Sequence, residues 1–237
     1  MMSCKYACKI KVMTNPTSSY DPFAHLADCG AKICGIRTRD DYVHCAEKGA
    51  AFIGMVFFEK SPRHLSWDDA IKLAEIARPN GPIRVALTVN ADDDYLEMIY
   101  QTAKPDMFQL HGDETPQRAR QIKQRYNLPV MKALRVQSAA DVKAANDYIG
   151  SVDWLLFDAF SANPDLPGGT GHQFDWQLVA GLELPVPWML AGGLSADSLQ
   201  KARIQTGARY FDVSSAVEGE KGVKNHEKIS AFIEAAC

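Results

Sequence analysis

From about residue 31 to its end, this chain repeats one pattern eight times: a short apolar or β-branched run, then an amphipathic stretch. The runs fall at residues 31–35, 52–57, 84–89, 107–110, 129–133, 154–158, 187–190 and 210–213. The amphipathic stretches fall at residues 38–48, 66–77, 92–102, 115–125, 138–149, 175–182, 196–206 and 226–236. Strand–helix alternation builds a parallel sheet, since each helix returns the chain to the start of the next strand. Eight such units predict closure into a (β/α)8 barrel of the TIM type, an α/β fold with a single domain. The runs lack polar alternation, as strands buried on both faces do. Local signals agree with the helix assignments. Ser66 stands as an N-cap before acidic Asp68 and Asp69, and Pro116 occupies a first helical position.

Residues 1–30 do not fit the repeat. The expected organisation is an N-terminal extension over 1–30 and the barrel over 31–237, with a possible short strand at residues 8–13. The six cysteines are Cys4, Cys8, Cys29, Cys34, Cys45 and Cys237. Cys4 and Cys8 have no second close pair to complete a zinc site, so no metal is expected. The opening residues lack the layout of a secretory signal, which predicts a cytoplasmic protein with free thiols. A net charge of −3 gives no nucleic-acid footprint, and no apolar run is long enough to span a membrane.

In barrels of this kind chemistry sits at the C-terminal ends of the strands. That rule selects Cys34, the segment from Glu59 to Arg63, Asn90, Gln109, His111, Lys132, Asp158, and the segment from Asp212 to Ser215. Two turns stand out as phosphate cradles. One is Gly192-Gly193 after the seventh strand; the other is Ser214-Ser215-Ala216 after the eighth. Loops in those places commonly bind phosphate through backbone N–H groups, and glycine lets the backbone approach closely.

Several motifs together carry a resemblance. They are Lys32-Ile-Cys-Gly-Ile36, Lys60-Ser-Pro-Arg63, Gln109-Leu-His-Gly112, Leu155-Leu-Phe-Asp158, Gly168-Gly-Thr-Gly171 with Phe174-Asp-Trp176, Ala191-Gly-Gly-Leu194, and Asp212-Val-Ser-Ser215 with Val217-Glu218. In this order they resemble the phosphoribosylanthranilate isomerases, and they cover nearly everything after residue 30. The resemblance implies an Amadori rearrangement of a phosphorylated aminoaldose in tryptophan biosynthesis, with a small-molecule substrate and no cofactor. It implies Asp158 as general acid and Cys34 as general base. It also implies Arg63 on the anthranilate carboxylate, Asp212 on the sugar hydroxyls or the linking nitrogen, and Gln109 and His111 at the substrate, with His111 mainly holding a loop.

The residue chemistry is compatible with those roles. Apolar neighbours such as Leu155, Leu156 and Phe157 suit a carboxyl that must deliver a proton. A thiol titrates near ~8.5, so Cys34 needs a positive environment to act as a base near neutrality. Arg37 is one candidate for that charge.

The sequence departs from the family pattern at Ala216, where a glycine is usual, and at His172-Gln173. An alanine tolerates left-handed backbone poorly, so the eighth-strand loop is expected to be altered. The alternative reading is a catalytically silent phosphosugar-binding barrel or pathway scaffold. Either is expected to be a monomer or homodimer. The histidine-pathway barrel isomerase fits less well: that family carries two aspartates where this chain has Cys34 and Lys132.

Overall fold

Eight parallel strands close on themselves in chain order in the computed structural model, which describes residues 23–76, 81–159 and 175–237. The strands are β1 Gly30–Cys34, β2 Phe52–Phe57, β3 Ile83–Thr88, β4 Met107–Leu110, β5 Val130–Val136, β6 Trp154–Ala159, β7 Trp188–Leu190 and β8 Tyr210–Val213. The ring is sealed by β1 pairing with β8, from Gly30 opposite Tyr210 to Ile33 opposite Val213.

Helices α1 Arg39–Glu47, α2 Trp67–Ala74, α3 Asp93–Ala103, α4 Pro116–Tyr126, α5 Ala139–Lys143, α6 Ala196–Thr206 and α7 His226–Ala236 lie between or after the strands. Thr38, Ser66, Asp92 and Thr115 each accept a hydrogen bond from the backbone N–H three residues on, which satisfies a donor that the first helical turn leaves open. Two expected helices are shorter than the sequence suggests. Helix α5 gives way to a 3-10 turn at Ala144–Tyr148, and the stretch expected as a helix over 175–182 holds only a 3-10 turn at Trp176–Val179. A two-stranded hairpin after β8, β9 Glu218–Glu220 with β10 Val223–Lys224, was not expected.

Successive strand residues face opposite sides of the sheet. One set, including Ile33, Met55, Phe57, Phe108, Leu155, Phe157 and Phe211, packs against the helices. The other set fills the barrel: Phe52, Val85, Met107, Met131, Trp154, Leu156, Met189 and Tyr210. The Trp154 ring meets Phe52 and Tyr210 edge-on, with centroids 5.3 and 4.9 Å apart. Phe23 and Leu26 pack on this inner cluster, and the Tyr210 hydroxyl donates to the Ala27 carbonyl. The described end of the expected extension thus lies against the inner cluster of the barrel. The possible strand at residues 8–13 lies outside the described residues.

Arg84, at the start of an apolar run, is fully buried, with its guanidinium 4.8 Å from the Tyr42 ring centroid and one Nη donating to the Ile76 carbonyl at 2.8 Å. One expectation needs correction. Cys29 and Cys237 are not free thiols. They form a disulfide, with Cα atoms 5.8 Å apart, that ties the residue before β1 to the residue after α7. Both partners are fixed by the closed barrel, which brings first strand and last helix together. Cys34 and Cys45 are free and buried.

The cystine spans 208 residues of chain. A crosslink closing a loop that long stabilises by roughly 3–5 kcal/mol in the chain-entropy account. Reduction with dithiothreitol, or Cys29→Ser, should lower the thermal midpoint measured by circular dichroism, and reduction should add nothing further to Cys29→Ser. An identical midpoint with and without reductant would show that the crosslink contributes nothing.

Candidate active site

The alternation that fills the barrel also selects its upper layer. Continuing the inward-facing positions toward the strand ends gives Lys32 and Cys34 on β1, Gly54 and Val56 on β2, Leu87 on β3, Gln109 on β4, Asp158 on β6 and Asp212 on β8. Lys132 has the other parity and is no mouth residue. Its ammonium, 2% exposed, donates to the Gly112 carbonyl at 2.6 Å and to Glu114 Oε2 at 3.0 Å, and so ties down the loop after β4. Asn90 serves the same loop, donating its N–H to Glu114 and accepting from the Asp113 N–H.

Cys34 sits between two unlike surfaces. Val56 and Leu87 pack against it on one side. On the other lies Lys32, fully buried, whose Nζ donates to Asp212 Oδ1 at 2.7 Å. A Cβ placed on Gly54 would come within 2.9 Å of the Cys34 sulfur and 3.2 Å of Lys32 Nζ, so the two groups flank the same gap. Burial pushes the Cys34 thiol up from its ordinary value; Lys32, Lys224 and Arg63 pull it back, while Asp212 adds to the rise. The helpful cations are thus not Arg37, which donates instead to the Pro62 carbonyl at 3.5 Å.

Arg63 reaches the site across the end of β1. Its stem lies against Gly35, where a Cβ would meet Arg63 Cδ at 3.0 Å, and Gly35 adopts a φ of +85° that side chains resist. The guanidinium grips Glu218 through Nε at 2.7 Å and Nη2 at 3.0 Å. Lys224 on β10 donates to the same carboxylate at 3.1 Å and to the Ser214 carbonyl at 2.9 Å. Glu218 is buried, which resists ionisation, yet Arg63, Lys224 and the Gly222 N–H together hold its carboxyl down at about 2. The short β9–β10 hairpin exists to deliver this pair.

Asp158 is less apolar in its surroundings than its flanking residues imply. Oδ1 accepts from the Ala159 N–H at 2.8 Å, and Oδ2 lies 3.4 Å from His111 Nε2. Gln109 Nε2 stands 3.1 Å from His111 Nδ1. His111 thus stands between Gln109 and Asp158 at the mouth of the barrel. Gln109, fully buried, acts behind it.

At the neighbouring strand ends, Gly192 and Gly193 take φ values of +86° and +63°. A Cβ on Gly192 would strike the Ala159 backbone N at 2.7 Å, so glycine lets this turn press against the end of β6. Helix α6 begins just beyond it, with Ser195 as its N-cap. Ser214 donates its hydroxyl to the Cys34 carbonyl at 3.2 Å. Ser215 and Ala216 lie in a 3-10 turn, and Ala216 has no positive φ, so the expected strain at that position is absent. The motif residues from Gly168 to Phe174, and His172-Gln173, lie outside the described residues.

The family profile for N-(5'phosphoribosyl)anthranilate (PRA) isomerase matches residues 31–235. A Brucella canis protein named N-(5'-phosphoribosyl)anthranilate isomerase is 46% identical over 207 residues, which is 87% of this chain and 93% of that one. The chain belongs to this isomerase family. The phosphoribosyl anthranilate isomerase of Thermotoga maritima superposes with a TM-score of 0.78 at 31% identity, covering 88% of this chain and 98% of that one. A phosphoribosyl anthranilate isomerase in complex with reduced 1-(o-carboxyphenylamino)-1-deoxyribulose 5-phosphate superposes with a TM-score of 0.75 at 30% identity, with the same coverage.

For a member of this isomerase family, the sequence motifs contain Lys32 and Glu218 beside Cys34, Asp158, Arg63 and Asp212 but give those two charges no role. Lys224 lies outside the motifs altogether. A parity count along β1 finds Lys32; nothing in the sequence pairs Glu218 with Arg63. Among the described residues no helix is long and apolar enough to cross a membrane, and no group of three or more His, Cys, Asp or Glu could hold a metal ion.

The Glu218 carboxyl lies well below its ordinary 4.5, so its contribution to stability is complete above about 4.5 and is lost as pH falls toward about 2. Acid titration followed by fluorescence should show the wild type losing stability across that interval. Glu218→Gln, less stable at neutral pH, should lose less there; parallel profiles would refute the Arg63–Glu218 linkage.

Proposed function

We propose that this chain catalyses the Amadori rearrangement of N-(5-phospho-β-D-ribosyl)anthranilate to 1-(2-carboxyphenylamino)-1-deoxy-D-ribulose 5-phosphate in tryptophan biosynthesis. One observation carries the reading. Cys34 and Asp158, two side chains able to move protons, occupy the inward upper layer of the barrel on β1 and β6, within a chain of this isomerase family. The named relatives and the analogue complex of a neighbour support the substrate class.

In this mechanism Asp158 gives its proton to the furanose ring oxygen, and the ring opens to a Schiff base. His111, oriented by Gln109, faces the Asp158 carboxyl and fixes the direction from which the proton leaves. Cys34 then takes the C2′ proton. The electron pair of that C–H bond moves into the C1′–C2′ bond and quenches the iminium charge, and the enolamine tautomerises to the ketone. Asp212 meets the sugar while it holds Lys32.

Two Arg63 nitrogens are engaged by Glu218. The Arg63 guanidinium matches the anthranilate carboxylate in shape and charge. The phosphate sits at Gly192, Gly193, Ser214, Ser215 and Ala216, beside the N-terminus of the 11-residue helix α6. The protein works in the cytoplasm as a monomer or homodimer, without a cofactor.

Loss of substrate fluorescence with purified protein tests the reading. Asp158→Asn and Cys34→Ala should each lower kcat by at least ~10²-fold, the lower end of what a general acid or base contributes. Arg63→Ala should act chiefly on KM. Normal turnover by Cys34→Ala would overturn the base assignment, and normal turnover by Asp158→Asn would overturn the acid.

A further inference from the structure

A buried lysine is costly, and Lys32 is fully buried. Its Nζ donates to Asp212 Oδ1 at 2.7 Å, and the Cys34 sulfur lies across the same gap, since a Cβ on Gly54 would come within 3.2 Å of the one and 2.9 Å of the other. All three groups stand on inward positions of adjacent strands, β1 and β8, with Lys32 directly opposite Asp212 in the register. Gly54 on β2 leaves the gap that the sulfur and the ammonium share. An ion pair that served packing alone would need neither the thiol beside it nor the missing side chain above it.

We infer that Lys32 is a positioning residue for the base of this isomerase: its ammonium stays charged throughout and stabilises the Cys34 thiolate, while Asp212 holds the ammonium in place and limits its pull. The inference rests on the reading of Cys34 as base. The thiol releases its proton to solvent at the barrel mouth, leaving S⁻ beside Lys32. The thiolate then takes the C2′ proton, an S–H bond forms as the C–H bond breaks, and Lys32 neither gains nor loses a proton.

Every charged group near the sulfur has a definite sense. Lys32 from β1, Lys224 from β10 and Arg63 from the loop after β2 favour the thiolate; Asp212 from β8 opposes it. Glu218 faces Lys224 and Arg63 and is already paired with both. Val56 and Leu87 supply the low-dielectric wall that makes the nearest charges count most.

The test reads the thiolate directly, so it does not depend on turnover. Ultraviolet thiolate absorbance is followed against pH in the full-length protein, and the Cys34→Ala profile is subtracted to remove the other cysteines. Cys45 stays out of the way because burial pushes its thiol up to about 12. Lys32→Met should move the Cys34 transition to higher pH by at least about one unit, the scale of a close charge's effect. Asp212→Asn should move it to lower pH. The opposite signs separate charge from packing, since both replacements disturb the same contact.

In turnover, Lys32→Met should lower kcat by roughly 10-fold or more while KM stays within about threefold, because the effect falls on a proton-transfer step. Where Lys32→Met fails to fold with Asp212 left unpaired, the doubly neutral Lys32→Met with Asp212→Asn takes its place, and Asp212→Asn alone still carries the sign. A Cys34 transition unmoved by either substitution, or moved the same way by both, overturns the role of Lys32. Full activity in Cys34→Ala would instead overturn the base assignment, while the absorbance shifts would stand or fall separately.

Discussion

A sheet closed into a ring of eight strands leaves each strand residue only two directions: into the barrel or out toward the helices. The lower inward positions are filled by Phe52, Met107, Trp154 and Tyr210, which exclude water and make the interior a plug, not a pore. The same parity, carried up each strand, turns Lys32, Cys34, Gln109, Asp158 and Asp212 inward toward the open end. Residues far apart in the chain therefore become neighbours without any loop having to place them. Loops add Arg63 and the phosphate turn, and the β9–β10 hairpin adds Glu218 and Lys224.

That layer concentrates charge where charge is expensive. A buried ion costs several kcal/mol unless partners and hydrogen bonds replace its water. Here the cost is met in two clusters: Lys32 with Asp212, and Arg63 and Lys224 with Glu218. Each cluster is a candidate for specifying geometry more than for adding stability. The Asp158 side is built differently: Gln109 Nε2 meets His111 Nδ1 at 3.1 Å, and His111 Nε2 lies 3.4 Å from the Asp158 carboxylate. The barrel mouth is thus divided into a half rich in positive charge around Cys34 and a half governed by hydrogen bonding around Asp158. A reaction that needs a proton withdrawn on one side and delivered on the other can use both.

Much of this was legible in the sequence because the signals are local. Apolar runs mark the strands, and Thr38, Ser66, Asp92 and Thr115 mark helix starts through contacts only three residues long. Strand-end motifs point to Cys34, Arg63, Asp158 and Asp212. What stayed hidden depends on contacts between distant residues. Glu218 meets Arg63 across 155 residues, Lys32 meets Asp212 across 180, and Cys29 meets Cys237 across 208. No periodicity encodes such pairs. Short elements were lost for another reason: two and three residues in β10 and β9 are too few to show a period. The buried setting of Arg84 is hidden in sequence because its carbonyl acceptors belong to backbone, which has no sequence signature.

The junction of Cys29 and Cys237 has a topological consequence. Their Cα atoms are 5.8 Å apart, little more than the spacing of consecutive residues in a chain. The barrel from β1 to α7 is, in effect, a circle that the ribosome happens to write as a line. Moving the break to another point on that circle would leave every strand between the same two neighbours. The order of the eight units around the barrel is what the fold requires; the place where the polypeptide starts reading them is not.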